Sequence, residues 1–235
     1  MRIAALSLLA LLGIGSALGQ PALAFSDRQL GAAFYQTVFG AEYTDWGGHA
    51  DIVKKFTGPV RVYIDNRSRF DRRADVAQFV GSLPRHIRGL DMAVVGSPAS
   101  ANFRIYVVDR AQYRSVVRTL YGDKYMHVPG RCLVRVYSRP SGIRRSDAVI
   151  VADEGEFLFQ RCLVEEVLQG LGPVNDSPGL PDSVFNDNSR HARFTSHDRF
   201  ILNILYHRRI RAGMNASQVA AVLPEVIRDV RRQLR

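Results

Sequence analysis

The sequence predicts an α+β domain: a mixed, twisted sheet packed against a helix at 156–171, with further helices after it. Three observations predict this. Period-two alternation of apolar and polar residues marks strands at 59–65, 102–109 and 132–137. Apolar residues at helical spacing mark segments before, between and after those strands. A turn sequence, Arg139-Pro140-Ser141-Gly142, joins two neighbouring strands into a hairpin.

Taken in order, Ser26-Asp27 caps a helix at 28–39 with Leu30, Phe34 and Val38 on one face. Gly40 and Gly47-Gly48 mark a loop carrying Trp46. The strand at 59–65 leads to a helix from Asp71 to near Pro84, with Val76, Phe79, Val80 and Leu83 on its apolar face. A short strand-like run at 92–95 precedes the strand at 102–109 and a helix at 110–120. Strands 132–137 and 146–152 pair across the turn. The helix at 156–171 enters a loop at 172–193 rich in Pro, Gly, Asp and Asn. Thr195 caps a helix to Tyr206. Asn215 opens a last helical region whose stripe of Val219, Val222, Val226, Ile227, Val230 and Leu234 reads as core-facing. Pro224 lies inside it and is expected to break or kink it.

The first 24 residues are set apart from the fold. Arg2, an apolar run at 3–14 and an Ala22-Leu23-Ala24 end are the three parts of a secretory signal peptide. The run is shorter than the roughly 20 residues that span a bilayer, and nothing later is longer. Cleavage after Ala24 leaves one domain at 25–235, periplasmic or secreted; an uncleaved anchor is the rival reading. No cysteine lies near the cleavage point to carry a lipid.

The net charge of +10 suits anionic partners such as a membrane surface or an acidic envelope polymer. All but three of the 32 basic residues are arginine, the exceptions being Lys54, Lys55 and Lys124, and they are scattered rather than blocked. Without interleaved stacking aromatics, specific nucleic-acid binding is not expected. Cys132 and Cys162 are the only cysteines. An even count in an exported chain reads as one disulfide; two buried free thiols are the alternative.

The segment that carries chemistry begins at Cys162. In the zinc-peptidase helix pattern, two histidines one turn apart hold the ion, and a glutamate after the first activates water. The extended pattern adds a glycine turn that returns a third histidine to the metal. Here Glu165 stands at the first histidine, Gln169 at the second and Asn175 at the third. Glu166 stands at the general base and Gly172 at the turn. Ser183-Val184-Phe185-Asn186 occupies the Met-turn place, and Phe194-Thr195-Ser196-His197-Asp198 leads into a closing helix ending Leu205-Tyr206. This half of the chain resembles a metzincin-type zinc peptidase without its histidine ligands. The resemblance implies a zincin-like domain whose site helix is 156–171.

The chain from about Asp27 onward also resembles a family of exported bacterial proteins of unknown function. The segments that carry this are 162–177, 183–187 and Leu205-Tyr206 through Gly213-Met214. That family implies no activity.

Three readings of the site stand side by side. Glu165, Glu166, Gln169 and Asn175 form a hydrogen-bonded network in place of the metal; or they line a cleft that binds a peptide or an anionic cell-envelope ligand without catalysis; or they serve an active metal-dependent peptidase with Glu166 as base. No cofactor is expected under the first two, and zinc or another divalent cation enters only under the third. Zinc prefers His, Cys and carboxylate to neutral amides. His49, His86, His127, His191, His197 and His207 show no ligand spacing. Adjacent helical carboxylates diverge, so Glu165 and Glu166 do not form a glycosidase pair. There is no Gly-x-Ser-x-Gly, P-loop or dinucleotide fingerprint.

Overall fold

The computed structural model describes residues 25–40, 51–123 and 130–234. The signal segment, Trp46, His49 and His127 lie outside the described residues. Five strands, β1 (Val60–Asn66), β2 (Met92–Val94), β3 (Phe103–Val108), β4 (Cys132–Arg139) and β5 (Gly142–Val151), form one sheet in the order β2-β1-β3-β5-β4. The β2-β1, β1-β3 and β3-β5 pairs are parallel, whereas β4 pairs antiparallel with β5 and borders the sheet. The domain is therefore α+β with a mixed sheet. The hairpin forces the one antiparallel pair, since a two-residue turn at Pro140-Ser141 cannot join parallel strands.

Alternation sorts the strands onto two faces. Val60 and Val62 of β1, Phe103, Ile105 and Val107 of β3, and Ala148 and Ile150 of β5 face the main core. Helices α1 (Asp27–Val38), α2 (Arg73–His86), α4 (Glu156–Gln169), α5 (Ser196–Tyr206) and α6 (Ala216–Gln233) pack onto that face and supply much of the same core. On the other face, Tyr106, Val108, Leu133, Val149 and Val151 pack with α3 (Arg110–Tyr121) through Tyr113, Val116 and Val117.

Capping boxes built on Ser26, Asp109, Thr195 and Asn215 start α1, α3, α5 and α6. A lysine from the segment before β1 closes the end of α5. The buried Lys55 ammonium donates to the carbonyls of Leu205, His207 and Ile210 at 2.9, 3.4 and 2.6 Å. Of the break or kink expected at Pro224, the break does not occur, for α6 runs through it to Gln233. Pro224 and Ala220 are exposed, so water can solvate the carbonyl that the ring leaves without its N–H. Val219, Leu223, Val226, Ile227 and Val230 on the opposite face hold the helix to the core. Among the described residues no helix is long and apolar enough to cross a membrane.

Helix α4 positions the candidate site. Every residue from Cys162 to Gln169 is buried, the polar Glu165, Glu166 and Gln169 included. The helix ends flush against the sheet, where a Cβ on Gly170 would sit 2.3 Å from the Phe103 ring. The Ser146 hydroxyl donates to the Gly170 carbonyl at 2.7 Å.

Candidate functional site

A cleft of about 570 Å³ opens beside α4 and the start of β4. Glu165, Glu166 and Gln169 line it from the helix, and Asp176 and Asp187 from the loop that follows. Arg110, Arg131 and Arg161 add positive charge to its wall. The Cys132–Cys162 disulfide forms part of that wall, with Cα atoms 5.7 Å apart across 30 residues of sequence. It ties the border strand β4 to the helix that bears the carboxylates, which is the pairing an even cysteine count implied.

One turn of helix places Glu165 and Gln169 on the same face. The Arg161 guanidinium, a turn earlier, lies 3.2 Å from the Glu165 carboxylate. Both side chains are nearly buried, at 11% and 7% exposure. Arg161 also donates to the carbonyls of Asn186, Ser189 and His191 at 3.2, 3.2 and 3.3 Å, and lies 3.7 Å from Asp187. One buried cation therefore holds the returning loop onto α4. Beyond the helix, the Gln169 amide donates to Asp176 Oδ1 at 2.8 Å.

Between these partners the chain turns at Gly172, whose φ of +138° only glycine adopts without strain. A Cβ there would meet the Lys54 carbonyl oxygen at 2.1 Å. The turn delivers Asp176 to the cleft. Asn175 goes elsewhere: its amide donates to the Gln36 carbonyl at 2.7 Å and its backbone N–H to Thr37 at 3.2 Å, both at the end of α1. Of the residues read as site members, Glu165, Glu166 and Gln169 come together, and Asn175 does not join them. Asp176, one position on, lines the cleft instead, as do Arg161 and Asp187, and the ligand spacing marks none of the three. Arg161 lies one helical turn before Glu165, which is the signal that points to it.

Behind the cleft, Phe185 is fully buried. The backbone around it is fixed by Asp198, which accepts from the Ser183 hydroxyl at 2.6 Å and the Thr195 hydroxyl at 2.7 Å. Burial raises the Asp198 pKa. On the sheet side, Tyr121 donates to the Asp147 carbonyl at 2.7 Å. Burial first, then the charges of Asp147 and Glu166, hold its phenol well above the usual range.

The only described histidine, cysteine and acidic residues close enough to hold a metal ion fall into two groups. One is Cys132, Glu165 and Glu166, but the Cys132 sulfur is committed to the disulfide. The other is Glu165, Asp176 and Asp187, whose carboxylate oxygens lie within 4.8 Å of one another. An all-oxygen set matches calcium or magnesium better than zinc.

The fold and the site together define an α+β protein with an acidic cleft braced by a disulfide. The chain belongs to the family described as "Protein of unknown function (DUF2927)", whose model matches residues 27–225. No curated protein matches it.

Proposed function

We propose that this is a non-catalytic, peptide-binding protein of the cell envelope, exported by its N-terminal segment and built on a metallopeptidase-derived fold. One observation carries the reading. Where a zinc peptidase needs free ligands, Glu165 is paired with Arg161 and Gln169 is bonded to Asp176. The groups at ligand spacing are joined to neighbouring side chains.

Descent from a peptidase is supported by three further features. The site helix carries the right spacing, the chain turns sharply at Gly172, and a buried Val184-Phe185 segment follows the returning loop. A disulfide supports an oxidising compartment, periplasmic or extracellular. The ligand class follows from the cleft wall. An extended peptide can lie along a border strand such as β4 and present charges of both signs. The cleft offers carboxylates and arginines to meet them.

The test is fluorescence anisotropy with labelled extended peptides carrying lysine and glutamate. Saturable binding that weakens in Arg161→Gln, with no cleavage of the peptide in the presence of added zinc, is the expected result. Cleavage would replace this reading with the peptidase one.

A second reading has its own observation. The clustered oxygens of Glu165, Asp176 and Asp187 suit a hard cation that braces the loop. Calcium titration followed by thermal unfolding separates the two, since a bracing ion raises the melting temperature.

A further inference from the structure

A second cavity, of about 330 Å³, lies between α2, α4 and the start of α5. Its chemistry differs from that of the acidic cleft. Phe79 of α2, Val164 of α4 and Phe194 form an apolar lining. His86, Arg193 and Arg199 carry all of its ionisable groups, and no carboxylate lines it. The hydroxyls of Ser82, Thr195 and Ser196 stand among them. Phe194 is set edge-on to the His86 ring, with centroids 6.3 Å apart.

Among the described residues neither Arg193 nor Arg199 makes a side-chain hydrogen bond or an ion pair. The Nε of Arg199 is buried and unsatisfied. Its sequence neighbour Asp198 does not supply the missing charge, because both carboxylate oxygens turn inward to Ser183, Val184 and Thr195. A guanidinium without a paired carboxylate keeps charge-assisted donors that an incoming anion can meet.

We infer that this cavity is a binding site for a small organic carboxylate with an apolar body, such as an aryl or medium-chain acyl acid. The Phe79, Val164 and Phe194 surface takes the hydrocarbon part. Arg199 meets the carboxylate with its fork of N–H donors, and Arg193 adds charge at the exposed rim. A cavity of this size, mostly apolar with a few convergent polar groups, is the usual form of a small-molecule site. Because α4 presents Val164 here and Glu165 to the acidic cleft, the two sites share one helix wall and differ in charge.

Isothermal titration of the purified full domain with octanoate and 4-phenylbutyrate tests this, with octanamide and inorganic phosphate as controls. Saturable binding of at least one carboxylate is expected, weakened roughly tenfold or more in Arg199→Gln. Arg193→Gln and Phe194→Ser are expected to weaken it less, and Glu165→Gln not at all. Circular dichroism confirms that each variant folds. Three results would overturn the site: no saturation by either acid at millimolar concentration, equal binding of octanamide, or undiminished affinity in a folded Arg199→Gln. Equal binding of phosphate would contradict the role given to the apolar lining.

Discussion

The Gln169 amide reaches across the turn at Gly172 to the Asp176 carboxylate at 2.8 Å. In the peptidase descent we propose, Gln169 takes the place of a second histidine ligand. In this chain the position serves to fasten the helix end to the loop that follows. Arg161 and Glu165 do the same one turn earlier. The expected consequences concern the disulfide, the turn, the ion pair, a buried histidine and the metal.

The disulfide should be complete and stabilising. Thiol titration of the denatured, unreduced protein is expected to find no free thiol. A Cys132→Ser, Cys162→Ser double variant, lacking a crosslink across 30 residues, should lose about 3–4 kcal/mol in urea unfolding. Two titratable thiols would contradict the bridge.

Gly172→Ala tests the turn. Its φ of +138° strains any Cβ, and the nearest atom would be backbone, the Lys54 carbonyl at 2.1 Å. Backbone cannot step aside as a flexible side chain does. A loss of upwards of about 3 kcal/mol, or failure to fold, is expected by urea unfolding. Unchanged stability would show that the turn is not held as described.

Arg161→Ala should be costly, because it removes the ion-pair partner of the nearly buried Glu165 and three carbonyl contacts from the 186–191 loop. Roughly 3 kcal/mol is expected, with Glu165→Gln milder because the amide is neutral. Limited proteolysis should cut near 186–191 in Arg161→Ala before it cuts the parent protein.

His197 sets a pH dependence. Its ring is buried and stacks on Phe25 at 4.3 Å, and among the described residues neither nitrogen has a hydrogen-bond partner. Burial lowers its pKa, and the weaker pull of Asp182 opposes this. Below about pH 6.5 the unfolded chain takes up a proton that the folded chain refuses. Stability should therefore fall as pH drops from about 6.5 toward the lowered folded value. His207, also lowered chiefly by burial, acts in the same sense. Comparing urea midpoints at pH 7.5 and 5.5 in the parent protein and in His197→Phe isolates the contribution. The drop should be smaller in the variant, and an equal drop would contradict the assignment.

Much of the fold is legible in the sequence because the strands have two chemically different faces. Arg61, Tyr63, Arg104 and Tyr106 alternate with Val62, Phe103 and Ile105, and period two follows directly. That α6 continues past Pro224 was not legible, because exposure, which lets water solvate the freed carbonyl, is not written in local sequence. The site was half legible. Helical periodicity fixes Glu165, Glu166 and Gln169 relative to one another. The returning loop has no period, so spacing chose Asn175, while the turn at Gly172 delivers Asp176 instead. Lys55 was opaque for a similar reason, since its partners at Leu205, His207 and Ile210 lie about 150 positions away.

The proposed function rests on Glu165 and Gln169 being bound to other side chains at the spacing the peptidase resemblance gives to zinc ligands. Metal analysis of the purified protein, followed by calorimetric titration with zinc, checks this. Well under one zinc per chain, no tight zinc uptake and no peptide hydrolysis are expected. One zinc per chain, with hydrolysis abolished in Glu166→Gln, would contradict it.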